Sequence, residues 1–231
     1  MIQLTVTRKN PVMKKIFLFA TAMCMIAFNG FAQKEVIESN IQKRNIGPFY
    51  KIESSAGIEV VLTKGGKEEL GVVVGDQSYI NEVRTVVSNG TLKISREGDW
   101  KFWNTWKNWK VKVYVSYVNL ESIDVSSGST VRGEGLDLNK LAVDLNSGAV
   151  VELEGRVGTL QIDASSGASF RSYGLKASKC IADVSSGAGI QVTVEKEINA
   201  DASSGGYIRY KGEGLIRNID VSSGGSVKKQ S

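Results

Sequence analysis

The sequence predicts an all-β protein, a β-solenoid (parallel β-helix-like) of about six regular rungs that follow an irregular β-rich N-terminal part. Three observations predict it. The motif Asp-x-Ser/Asn-Ser-Gly-small occurs six times, starting at Asp124, Asp144, Asp163, Asp183, Asp201 and Asp220, at intervals of 20, 19, 20, 18 and 19 residues. An apolar residue stands on each side of every one of these aspartates, from Ile123 and Val125 to Ile219 and Val221. That alternation describes strands with one face inward. A glycine stands four residues after each Asp, where a corner needs positive φ or close backbone approach.

Taken from the beginning, residues 1–32 read as an export signal. Lys14-Lys15 supply a basic start, Ile16 to Phe28 form an uncharged apolar run, and Gly30-Phe31-Ala32 places small residues before Gln33. The basic pair follows Met13, which points to Met13 as the true start. The run is shorter than the roughly 20 apolar residues of a membrane span. No membrane span is therefore expected after cleavage, with an uncleaved N-terminal anchor as the alternative. Cys24 lies inside the run behind Met23, so it reads as an ordinary signal residue rather than an acylation site. The implied location is exported: periplasm, outer-membrane surface or extracellular.

Removing the signal changes the charge balance. It holds Arg8, Lys9, Lys14 and Lys15 and no acid, so the 29 basic residues fall to 25 against 24 acidic ones. The near-neutral remainder gives no sign of nucleic-acid binding, which calls for a basic face. Cys180 is then the one cysteine left, and no disulfide can form within the chain.

Residues 33–119 form the β-rich N-terminal part. Tyr50 to Val60 reads as a degenerate rung in which Glu53 replaces the Asp. Leu70–Val74, Val83–Val87, Thr91–Ser95 and Val111–Val115 read as strands, and Ser88-Asn89-Gly90 as a hairpin turn. This part is expected to continue into the regular solenoid and to cap it, because end rungs need protection. The four tryptophans, Trp100, Trp103, Trp106 and Trp109, fall within ten residues and alternate with Lys and Asn. Such a segment can stack on sugars or sit at lipid headgroups. It can equally fold back over exposed core. It is the chain's candidate ligand-binding segment.

Residues 120–231 hold the regular repeat. A coil of about 19 residues cannot bury its own apolar side, and stacking coils about 4.8 Å apart makes one continuous core. Alternation places the six aspartates on one outer face. Neighbouring carboxylates in register then repel by roughly 0.8 kcal/mol in water. Hydrogen bonds, raised pKa values or bound cations could offset this, so Asp124, Asp144, Asp163, Asp183, Asp201 and Asp220 are also candidate metal ligands. The alternative is a structural corner in which the second Ser lies on the inner side and its hydroxyl caps free backbone groups. Cys180 shares the register of Leu141, Leu160 and Ile198 and reads as a small buried hydrophobe.

The chain contains no His, which excludes Ser-His-Asp, Cys-His and His-zinc chemistry. No cofactor motif is present, and the Asp residues recur alike in every rung. A non-enzyme is expected. The alternatives are a carbohydrate-active enzyme using outer-face carboxylates, or a self-assembling structural element whose end rungs stack.

The strand around Phe49–Val60, the segment Val111–Asp124 (VKVYVSYVNLESID) and the Ser-Ser-Gly corners resemble the auto-transporter adhesin, head GIN domain family (DUF2807), over residues 45–230. The resemblance implies an exported adhesin-like protein that presents a rigid solenoid to glycan, envelope polymer or surface protein. It brings no catalytic or binding residues with it, and the Trp segment stands outside the family pattern.

Overall fold

The computed structural model describes residues 40–97 and 109–231. The expected signal, Trp100, Trp103 and Trp106 lie outside the described residues. The chain forms a β-solenoid of about five turns. Six motif copies bound five repeat intervals, which accounts for the difference from six rungs.

In the regular part β9 (Thr130–Leu145), β10 (Val150–Ala164), β11 (Ser169–Val184) and β12 (Gly189–Ala202) each make most of one coil. The last coil divides into β13 (Tyr207–Lys211) and β14 (Leu215–Val221), and β15 (Ser226–Lys229) begins another. All pair in parallel. Irregularities break the β9–β10 register at Leu153/Gly155 and the β11–β12 register at Ser172/Lys176 and Ala177/Lys179. They divide a coil into short segments. Gly155 makes one such bend possible. Its φ is 131°, and a side chain there would strike the Leu136 backbone.

Inward positions stack in columns. Val143, Ile162, Ala182 and Ala200 pair in succession and are all buried, as are Val131, Val151, Phe170, Ile190 and Ile208. Each large aliphatic member contributes roughly 1.5–3 kcal/mol of burial. Cys180 occupies its expected column between Leu160 and Ile198, and burial pushes its thiol up to about 12. A thiol so held is protonated and inert at neutral pH.

The N-terminal part joins the same stack. Its strands are β1 (Gln42–Arg44), β2 (Lys51–Ser54), β3 (Glu59–Lys64), β4 (Glu69–Val74), β5 (Val83–Ser88), β6 (Thr91–Arg96), β7 (Val111–Tyr117) and β8 (Ser122–Val125), with a 3-10 turn at Gln77–Glu82. The turn between β5 and β6 has positive φ at Asn89 and Gly90, as a two-residue hairpin requires. β2 and β3 form a coil, and Glu53 pairs with Asp124, so the degenerate rung is real. Its place is out of chain order. β2 lies between β6 and β8, and β3 between β7 and β9. The chain starts one coil in, builds the outer coil β6–β7, and returns past its own start to β8.

The two ends differ. At the N-terminal end β1 and β4 add antiparallel strands beyond β7, and β5 adds one beyond β6. Arg44 of β1 reaches across to β5, donating to the Val83 carbonyl and to Thr85 Oγ1, and also to the Ile80 carbonyl. One side chain thus ties the two faces together over the core. At the C-terminal end Leu215, Ile216, Ile219 and Val221 are exposed, although the counterparts of the last three one coil earlier, Ile198, Ala200 and Ala202, are buried.

Candidate functional site

The sequence places functional side chains on three surfaces: the acid column, the corners and the tryptophan segment. The structure adds a fourth.

The aspartates do stack. Asp124, Asp144, Asp163, Asp183, Asp201 and Asp220 pair in unbroken register. Glu53 extends the column, and Lys93 closes it with an ion pair to Glu53 at 3.0 Å. The Asp124 carboxyl is held above the usual aspartate range. Desolvation comes first among the causes, then the charges of Asp144 and Glu53. The carboxylates form a line along one face. Among the described residues no group of three or more acidic, His or Cys side chains converges on a point that would hold a metal ion.

The corners run alongside this column, and here one expectation is corrected. The second Ser of each motif does not turn inward. Ser127, Ser147, Ser166, Ser186, Ser204 and Ser223 all have φ near 50° and are exposed. The positive φ breaks the strand alternation on which the inward placement relied. With the following glycine also at positive φ, each corner is a two-residue turn of the kind otherwise found in hairpins. The turn is closed by backbone, not by hydroxyls. Ala168 N–H donates to the Ser165 carbonyl at 3.0 Å, and Gly167 N–H donates to the Ser186 carbonyl of the next coil at 3.1 Å. The same two bonds recur from corner to corner.

Trp109 is the tryptophan that the structure describes. Its indole N–H donates to the Ala56 carbonyl at 2.8 Å. Arg96 lies over its ring at 4.4 Å, and Tyr79 meets it edge-on at 5.6 Å. Arg96 is itself held by Glu82 at 2.7 Å. Trp109 therefore packs onto the Ala56–Gly57 corner, between β2 and β3.

The fourth surface was missed from the sequence. On the face made by β11, β12 and β13, Arg209 lies over the Tyr207 ring at 5.1 Å and Lys211 over the Tyr173 ring at 5.2 Å. Tyr207, Arg209 and Lys211 share the outward side of β13, and Tyr173 meets Lys211, so the four side chains form one group. No motif marks them, because they come from separate coils. The signal available was a coil-by-coil alignment, which puts Arg171, Gln191, Arg209 and Lys228 in one column.

A groove of about 620 Å³ follows the β7–β8 crossing and is lined by Lys64, Asn119, Glu121, Asp137 and Lys140 among others. Lys64 Nζ spans it to the Asp137 carbonyl at 3.1 Å.

Comparison with known proteins fits this architecture. Residues 48–214 match the family described as "Putative auto-transporter adhesin, head GIN domain". The chain belongs to the head GIN domain family. A crystal structure of an adhesin-named protein of Bacteroides fragilis covers 83% of this head GIN chain with 96% of its own, at a TM-score of 0.60 and 19% identity. A protein of Parabacteroides distasonis named for lipid binding covers the same shares at a TM-score of 0.49 and 19% identity. At such identities the likeness is one of fold. Among curated proteins nothing matches the chain. Among the described residues of this head GIN protein, no helix is long and apolar enough to cross a membrane.

Proposed function

We propose that this head GIN domain protein is an exported, non-catalytic envelope or surface protein that presents a rigid solenoid for binding glycan, envelope polymer or another protein. The observation that carries the reading is the aspartate column, which stays in register through all six motifs. Such stacking turns single side chains into a long, regular line of like groups, which suits recognition of an extended partner. The family's adhesin name points the same way. The segment Trp100–Trp109 is the contact put forward from the sequence. Trp109 is bonded to the Ala56 carbonyl and packed under Arg96, so a test should spare it.

The purified protein is applied to arrayed glycans and isolated envelope fractions, beside a variant carrying Trp100→Ala, Trp103→Ala and Trp106→Ala. Binding that disappears in a variant with an unchanged circular dichroism melt supports the Trp contact. Equal binding moves the contact elsewhere on the solenoid. Absence of binding by the unaltered protein counts against recognition.

A second reading, self-association through end coils, is favoured by the exposed Leu215, Ile216, Ile219 and Val221. Among the described residues β14 and β15 also carry one strand partner each, so their other edges can accept another strand. Light scattering that shows size rising with concentration, abolished by Ile219→Lys, would favour it.

A further inference from the structure

The net charge of the chain conceals a segregation of charge. The acid column occupies one outward face. On the other, two neighbouring outward columns open with alternating signs. Glu59 lies between Lys112 and Arg132, and Arg132 reaches on to Glu152. Beyond Glu152 the column of Arg132 changes character, running Arg171, Gln191, Arg209 and Lys228. Among the described residues neither Arg209 nor Lys211 is ion-paired, and the ion pair found close by joins Lys229 to Glu213 instead.

A glycine beside this column shows what the cations accompany. Gly189 is the coil counterpart of Thr130, Val150 and Ser169, all of which carry side chains. Its φ lies outside the left-handed region, so its own backbone does not require glycine. A Cβ there would run into Cζ, Oη and Cε1 of Tyr207. The Tyr207 ring therefore lies along the sheet, over the neighbouring coil, in space that the missing side chain leaves open. Arg209 flanks this ring, and Tyr173 with Lys211 stands next to it.

A flat aromatic ring on a rigid surface matches the apolar face of a pyranose. A guanidinium and an ammonium beside it match an acidic substituent on that sugar. Arg171 stands two coils from Arg209, about 9.6 Å away at the spacing of adjacent strands. A second acidic group further along the same chain can meet it. We infer that Tyr207, Tyr173, Arg209 and Lys211 form a binding site for an anionic polysaccharide, a linear chain bearing carboxylate or sulfate groups, laid along the stack. This deepens the binding function proposed above and rests on it. A lipid headgroup or a single nucleic-acid strand would also use cations. The extended, flat and rigid site on an adhesin-family solenoid favours the saccharide.

The test titrates the purified protein with polygalacturonate and with neutral dextran in a calorimeter, with oligo-dT and phosphatidylglycerol vesicles as competing ligand classes. Three variants accompany it: Tyr207→Ala, the pair Arg209→Ala with Lys211→Ala, and Gly189→Val. The last adds no charge and introduces a side chain that the same position carries at Val150, so it displaces the ring while the coil keeps its fold. Expected are binding of polygalacturonate over dextran, weakened by salt, and a loss of about tenfold or more in each variant. Thermal melts should stay close to the parent. Unchanged affinity in the variants, no binding of polygalacturonate, or preference for oligo-dT or vesicles would overturn the assignment. Binding to envelope fractions that survives in all three variants would overturn this site alone. Loss of every interaction in the unaltered protein would remove the wider reading as well.

Discussion

Single residues show where the repeat is under tension. Asp124 is one: its carboxyl is pushed up in the folded protein, first by desolvation and then by Asp144 and Glu53. A raised native pKa means that the fold binds this proton more tightly than the unfolded chain does. Stability from this group therefore falls as pH rises from the ordinary aspartate range through the native value. Asp124→Asn should raise the melting temperature at neutral pH, and the gain should vanish once acid has protonated both states. A gain that persists in acid would assign the effect to something other than charge. Ser166 is another, with φ of 53°, where a β-branched side chain is a genuine outlier. Ser166→Val should cost about 1–2 kcal/mol in urea unfolding. Ser166→Asn should cost little, since Asn enters this region more readily.

At the scale of strands and coils, the inward columns hold the structure together. Ile162 is buried between Val143 and Ala182. Ile162→Asp puts a charge where it finds no water, at a cost of several kcal/mol, and should abolish the cooperative melt. A circular dichroism melt like the parent's would contradict the inward assignment. This much was legible in the sequence, because strand alternation and corner glycines are local signals repeated six times over. The hairpin at Ser88-Asn89-Gly90 and the Glu53 coil were legible for the same reason. The insertion of β2–β3 between later coils was not, since pairing partners leave no mark on either strand. The inward placement of the second Ser failed because alternation was carried into a turn whose φ reverses sign. The Tyr207 group was illegible because its members lie in sequence as far apart as Tyr173 and Lys211, and only the register brings them together.

For the whole molecule, the register makes a polar object with unlike faces and unlike ends. One face carries a line of carboxylates, and the other ends in Arg209 and Lys211, unpaired among the described residues. One end is closed by Arg44 and antiparallel strands, whereas the other exposes Leu215, Ile216, Ile219 and Val221. Hydrogen exchange should report this asymmetry. Amides of β14 and β15 should exchange fastest among the regular coils, and those of β9 to β11, bonded on both sides, slowest. Equal protection along the stack would show that the coils open as one unit.

The out-of-order coil gives the molecule a direction under load. Tension on the C-terminus meets the last coil first, and each coil can peel away in turn, releasing about 65 Å of chain for every 19 residues or so. Tension on the N-terminal side strips β1 and then reaches β2–β3, which is gripped between β6–β7 and β8–β9. That coil cannot be peeled. It has to be sheared against two neighbours at once, with all its ladder bonds sharing the force. Pulling from opposite ends in a force spectrometer should give a staircase from one and a single abrupt rupture from the other. A protein built in this way unravels easily from its last coil and holds firm when pulled through β2–β3.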